Sequence, residues 1–245
     1  MSPWGSLQDR DLSAIEEMDR ADCNPERLKK TYARFPVVNS LLSGWRGTYH
    51  QRIRPLLTVG RKGSLLDIGC GSGDVARSLA LWAQQDGFSL AVTAIDPDGR
   101  AYEFASQARR VEGVTYRQAH SSELVREGRT YDVVISNHIL HHLDAGQLEG
   151  VLRDSESLSN SLALHNDLKR SNVAYLLFAA GFWPLGLGSY IWGDGLTSIK
   201  RSYTAAELAS AVPNAWRVER NGPWHNLLVH ERRLAGAQDQ RQERA

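Results

Sequence analysis

The sequence predicts an α/β fold: a mostly parallel seven-stranded sheet with an antiparallel last strand, a helical cover before it and an aromatic insertion within it. Three observations predict this. Between residues 63 and 167, short apolar runs alternate with amphipathic segments, the pattern of a parallel sheet covered on both faces. The first run ends in three glycines within five residues, Gly69, Gly71 and Gly73. Near the carboxyl end, Asn221, Gly222 and Pro223 separate two further apolar runs, a hairpin signal that implies one reversed strand.

Residues 1–57 read as the helical cover. Asn24 can cap a helix with Pro25 at its first position, and Leu28, Tyr32 and Phe35 follow at helical spacing. Pro36 is expected to end that helix, with Val38, Leu41, Leu42 and Trp45 forming the stripe of a second. The main domain, residues 58–234, places strands at 64–68, 90–95, 114–118, 131–136 and 161–165, with helices beginning near Gly73, Gly99, Ser121 and Asp144. An aromatic, glycine-rich insertion follows at about 171–201. Thr204 and Glu207 have the spacing of a capping box for a helix over 205–211. Strands at 216–220 and 226–231 complete the sheet, and the polar residues 235–245 are expected to form a disordered tail.

Composition narrows the function. The chain has 245 residues, 42% hydrophobic and 23% charged, with a formal net charge of +1. No global field favours nucleic acid or an anionic membrane, so a small-molecule enzyme is the expectation. Cys23 and Cys70 stand far apart with no CxxC pair, which fits neither a zinc ribbon nor a disulfide scaffold. The first residues lack the basic and apolar blocks of a signal peptide, and the most apolar stretch, 173–188, is interrupted by proline and glycine. A cytoplasmic protein without a membrane span is expected.

Ligands in such sheets bind at the carboxyl ends of the strands, where every motif here falls. The sharpest is Leu65-Leu66-Asp67-Ile68-Gly69-Cys70-Gly71-Ser72-Gly73-Asp74. A buried strand runs into a glycine turn that opens a helix, letting backbone approach a ligand closely. The spacing is DxGxGxG rather than the GxGxxG of dinucleotide enzymes. Asp96, followed by Pro97 and Asp98, ends the second strand, where a carboxylate can accept both hydroxyls of a ribose. Asp98 reads as a helix cap.

At these residues the chain resembles the Rossmann-like class I methyltransferases that use S-adenosylmethionine. The resemblance implies that Asp67, Gly69, Cys70, Gly71 and Gly73 pass under the amino-acid end of the cofactor and that Asp96 and Pro97 meet its ribose. At the end of the third strand many relatives carry an aspartate near the adenine. Here His120 and Ser121 stand in its place, and Ser121 also reads as a possible helix cap.

The fourth strand ends Ser136-Asn137-His138-Ile139-Leu140-His141-His142. This phrase resembles methyltransferases of ubiquinone and menaquinone biosynthesis, in which it lines the junction of cofactor and acceptor, implying a place for Asn137 at the cofactor. No neighbouring carboxylate or cysteine completes a metal set with His138, His141 and His142, so no metal is expected. One histidine can serve as a base, with His141 favoured over His142 and His138. The fifth strand ends His165-Asn166-Asp167-Leu168-Lys169-Arg170, where His165 and Asp167 can orient an acceptor hydroxyl and Lys169 and Arg170 read as a solvated helix start. This segment, with residues 17–39, resembles bacterial methyltransferases associated with polyketide products, which implies secondary metabolism.

The expected activity is transfer of a methyl group from S-adenosylmethionine to a small hydrophobic or aromatic acceptor, at a phenolic or enolic hydroxyl. Phe178, Phe182, Trp183, Tyr190 and Trp192 can build an apolar lid over it. The alternatives are a nicotinamide-dependent oxidoreductase and a non-catalytic S-adenosylmethionine-binding partner.

Overall fold

Asn24 opens the first helix, its side-chain oxygen accepting the amides of Glu26 and Arg27. In the computed structural model, which describes residues 7–232, this helix is α1 (Pro25–Leu42). It runs straight through Pro36, contrary to the expected break. Pro36 is exposed, and it costs the helix one bond, to the Tyr32 carbonyl one turn earlier. Behind it, Leu28 and Tyr32 are buried against Ala101 and Tyr190, which holds the helix in place.

The chain then forms α2 (Trp45–Thr48), a π-helical turn at Tyr49–Ile53 and a 3-10 turn at Arg54–Leu56. Trp45, Tyr49 and Ile53 enter the same apolar core as Leu65, Val75 and Leu79, so this end of the cover is built into the sheet.

The alternation read from the sequence follows: β1 (Lys62–Ile68), α3 (Asp74–Gln85), β2 (Ser89–Asp96), α4 (Gly99–Gln107), β3 (Val114–Gln118), α5 (Ser121–Arg126), β4 (Tyr131–Asn137), α6 (Ala145–Leu158) and β5 (Ser159–Leu168). The insertion supplies α7 (Asn172–Gly181), a 3-10 turn at Trp183–Gly186 and α8 (Ile191–Arg201). After α9 (Ala205–Ala211), β6 (Arg217–Asn221) and β7 (His225–Glu231) pair as the hairpin that the Asn-Gly-Pro turn implies.

The seven strands lie in the order β3-β2-β1-β4-β5-β7-β6. β1 to β5 are parallel, and β7 pairs antiparallel with both β5 and β6. The last strand is therefore reversed, as expected, and lies inside the sheet with β6 at the edge. Two apolar cores cover the faces: one beneath α3 and the 45–56 turns, the other beneath α5, α6 and α9. The reversal of winding between β1 and β4 places a crevice at the carboxyl ends of these strands. The expected tail at 235–245 lies outside the described residues. Among the described residues, no helix is long and apolar enough to cross a membrane.

Candidate functional site

The strand ends open on a cavity of about 700 Å³, lined at one end by the glycine turn and at the other by the histidines after β4. The turn is shaped by backbone that only glycine adopts freely. Gly69 has φ 68°, and a Cβ there would stand 2.6 Å from Ile139 Cγ2. The Gly69 and Cys70 amides donate to the Ile95 carbonyl at 2.8 and 3.0 Å, tying the turn to β2. Asp96 closes the mouth: its carboxylate accepts the Gly71 amide at 2.9 Å and the Asp98 amide at 3.0 Å. Asp98 caps α4 through the Arg100 amide, as read from the sequence.

Asp67 is 1% exposed and its Oδ2 has no hydrogen-bond partner, although it lines the cavity. Burial, reinforced by Asp74 and Asp96, pushes its carboxyl well above the ordinary range. Asp74 is better satisfied, accepting Ser72 Oγ at 2.9 Å and Asn39 Nδ2 at 3.0 Å. A group bringing positive charge would find an unpaired acceptor between these carboxylates.

His120 and Ser121 also line the cavity. Ser121 is the first helical residue of α5, after the cap position at His120, and its hydroxyl donates to Asp154 Oδ2 at 2.6 Å. Asn137 lines the cavity too, but its side-chain oxygen is already committed to Trp45 Nε1 at 2.8 Å and Asn166 Nδ2 at 2.9 Å. Cys70 and Pro97 complete the predicted residues at this end. Gly73 stands behind the wall, where a Cβ would strike the Tyr116 ring at 2.5 Å. Its role is to let β3 approach the turn.

At the opposite end, a 3-10 turn at Leu140–His142 presents two imidazoles to the cavity. Asp167 accepts His141 Nδ1 at 2.7 Å and the His141 amide at 2.8 Å. His141 Nε2 stands 3.3 Å from Glu16 Oε1 without a well-directed hydrogen bond. Burial opposes charge on this ring, yet the carboxylates of Asp167 and Glu16 prevail and hold its pKa up at about 10. A neutral His141 base, as the sequence suggests, is therefore replaced in this arrangement by an imidazolium. His142 Nδ1 lies 3.0 Å from Asp19 Oδ2, and its Nε2 lies 3.7 Å from Glu16 Oε1. Asp194 accepts the Glu17 and Met18 amides at 2.8 and 3.0 Å, fixing the segment that carries Glu16 and Asp19. Burial, with Glu16 nearby, raises the Asp194 carboxyl to about 7.

Three other expectations are corrected. His165 is fully buried away from the cavity, its Nδ1 2.6 Å from Ser136 Oγ and its ring beside Trp216. It shares a face of β5 with Asp167 but lies one pleat deeper, beneath Trp216. Arg170 is buried, pairing with Glu207 at 2.5 Å and donating to the Ser202 carbonyl at 2.8 Å. Of the five insertion aromatics only Phe178 reaches the main cavity; Trp183, Tyr190 and Trp192 line a separate space of about 370 Å³, and Phe182 stacks on Phe178 at 4.7 Å.

Residues 65–159 match a family model described as a methyltransferase domain. Over this segment the chain is similar to class I S-adenosylmethionine-dependent methyltransferases. It is 32% identical over 114 residues to a ubiquinone biosynthesis O-methyltransferase of Rickettsia felis, covering 46% of this chain and 44% of that protein. A second, from Rickettsia canadensis, is 31% identical over 115 residues, covering 46% of each chain. The aligned part thus spans less than half the length of the curated relatives it matches. Among solved structures, the fold is similar to the magnesium protoporphyrin IX methyltransferase of Synechocystis PCC 6803 with bound S-adenosylhomocysteine, at TM-score 0.52 and 16% identity over 84% of this chain and 86% of that one. It is also similar to a human N-acetylserotonin methyltransferase in complex with S-adenosylmethionine, at TM-score 0.58 and 13% identity over 84% and 56%.

The cavity suits S-adenosylmethionine, which the two solved neighbours hold as itself or as S-adenosylhomocysteine. The unpaired Asp67 oxygen matches an ammonium group, the glycine turn leaves room for the amino-acid portion, and Asp96 stands where a ribose diol can donate. Bound there, the cofactor supplies an electrophilic methyl on a sulfonium. The residues the sequence reading missed at the second end of the cavity are Glu16, Asp19 and Asp194. The only sequence signals were the acidic stretch of residues 9–22 and the likeness of residues 17–39 to polyketide-associated relatives.

Proposed function

We propose that this chain transfers a methyl group from S-adenosylmethionine to a phenolic or enolic oxygen of a small hydrophobic or aromatic acceptor. The observation that carries this reading is the continuity of one cavity from Asp67, Gly69 and Asp96 to Phe178, His141 and Glu16. The polar cofactor end and the acceptor end are walls of the same space. Val38, Leu42, Leu143, Phe178 and Ile191 give the acceptor end an apolar lining suited to a ring or an acyl chain.

Bound S-adenosylmethionine would supply the methyl electrophile and leave as the neutral thioether, while the acceptor hydroxyl would lose its proton to solvent and attack as the oxyanion. An acceptor hydroxyl that takes the place of Glu16 beside His141 Nε2 meets a cationic ring, which favours its ionised form. His141 then acts by stabilising the oxyanion, Asp167 by holding the ring, and His142 by flanking the same oxygen. The match to ubiquinone O-methyltransferases supports an oxygen acceptor of quinol type. Incubation with S-adenosylmethionine and a panel of catechols, alkylresorcinols and hydroxyquinones, read by mass spectrometry, tests the proposal. A methylated oxygen on at least one member is expected. Transfer only to nitrogen or carbon acceptors, or binding of S-adenosylmethionine with no transfer to any, would overturn it.

A further inference from the structure

The two imidazoles at the acceptor end share an arrangement that ion pairing alone does not require. Each ring is held through Nδ1 by its own carboxylate, His141 by Asp167 at 2.7 Å and His142 by Asp19 at 3.0 Å. Each therefore turns Nε2 toward the same third group, Glu16 Oε1, at 3.3 and 3.7 Å. His141 Nε2 is buried and has no directed hydrogen bond. The three ligand atoms lie within 4.8 Å of one another, and the rings lie 4.2 Å apart at 37°.

We infer that Glu16, His141 and His142 form a binding site for a zinc-class divalent ion at the acceptor end of the cavity. Two imidazole nitrogens and one carboxylate are the donor set of open zinc sites, in which three protein ligands leave a position for water or substrate. Tetrahedral ligands about 2.0–2.1 Å from zinc stand about 3.3–3.4 Å from each other, close to the separations from Glu16 to the two rings. Asp167 and Asp19 fill the outer role typical of such sites, fixing each imidazole's tautomer and orientation through the nitrogen that does not bind metal. Imidazole donors favour zinc, iron or nickel over magnesium, which takes oxygen ligands. All three ligands border the cavity, so the open position faces it. An ion bound here would displace the His141 Nε2 proton and keep Glu16 in place, so an oxygen acceptor at the open position would be polarised by the ion instead of by the imidazolium. This last step rests on the acceptor reading above; the binding of the ion does not.

The full chain, stripped with a chelator and dialysed, is titrated with Zn²⁺ and separately with Co²⁺ and Mg²⁺. One Zn²⁺ per chain is expected, with no comparable uptake of Mg²⁺ and with the strong visible d–d bands of low-coordinate Co²⁺. Glu16→Gln and the half-exposed His142→Ala should each weaken zinc at least 100-fold, and Asp19→Asn roughly 10- to 100-fold. Circular dichroism and S-adenosylhomocysteine affinity, measured on the same samples, report folding and the cofactor end independently. No zinc uptake by a folded parent chain, or zinc affinity unchanged in both Glu16→Gln and His142→Ala, overturns the inference. Either result leaves the methyl-transfer proposal to its own assay, just as lack of transfer would leave the zinc titration intact.

Discussion

Asp167 holds His141 at two points, one carboxylate oxygen on ring Nδ1 at 2.7 Å and the other on the backbone amide at 2.8 Å. Both residues are buried, so this is an ion pair without solvent. Removing one partner strands the other's charge, a loss of about 3–5 kcal/mol in comparable buried pairs. Asp167→Ala should destabilise the chain by that order in urea unfolding, whereas Asp144→Ala, at an exposed helix cap, should cost about 1 kcal/mol. Equal effects would mean that the pair is no more than a cap.

Asp96 spans the mouth of the glycine turn. Asp96→Ala should lose about 1.5–3 kcal/mol of charge-assisted hydrogen bonding to S-adenosylhomocysteine, roughly 10- to 150-fold in affinity by calorimetry. Asp98→Ala removes the cap of α4 and the ion pair to Arg100, and should reduce affinity much less than Asp96→Ala while lowering stability by about 1 kcal/mol. Unchanged affinity in Asp96→Ala would remove the ribose assignment.

Gly195 lets α8 pass close to the Phe178 ring: a Cβ there would lie 2.3 Å from Phe178 Cζ. Both residues border the acceptor end of the cavity. Gly195→Ala should push the ring into that space, raising KM for the acceptor while leaving S-adenosylhomocysteine affinity unchanged. The strain should cost about 1–3 kcal/mol of stability. Steady-state kinetics with the acceptor identified by the panel would show the split.

Burial holds His165 at about 3 and His225 at about 4, below the ordinary histidine value. The unfolded chain takes up their protons near pH 6.5, while the folded chain resists until much lower pH. Their neutral burial therefore contributes fully above about pH 6.5 and is lost as pH falls toward 4 and then 3. The urea midpoint should decline through that window, and His165→Gln should flatten part of the slope. A flat midpoint from pH 7 to 4.5 would refute this.

Local chemistry was legible wherever the relevant partners were close in sequence. The caps Asn24, Asp98 and Thr204 are set by residues within a few positions, and each stands as read; the glycine turn and Asp96 lie at the strand ends where the sequence places them. Pro36 was misread because its cost is local while the contacts of Leu28 and Tyr32 that hold α1 together are distant. Arg170 was taken for a solvated cation because Glu207 lies 37 residues away. Glu16 was invisible for the same reason: nothing in an acidic amino-terminal stretch says that it folds back across 125 residues onto His141. His165 failed on depth, since strand alternation gives the face of a side chain but not how far along the strand the cavity floor lies.

The segment that matches the methyltransferase family, residues 65–159, holds the cofactor end together with His141 and His142. Glu16, Asp19, Asp167, Phe178, Asp194 and Ser198 all lie outside it. The acceptor end thus draws on two segments outside the matched one, residues 16–19 and 167–198. New acceptors become reachable through changes in two peripheral segments that meet at the Asp194 bonds to Glu17 and Met18. A chimera that transplants only one of them would lose the seam, while a double transplant would carry its acceptor preference with it.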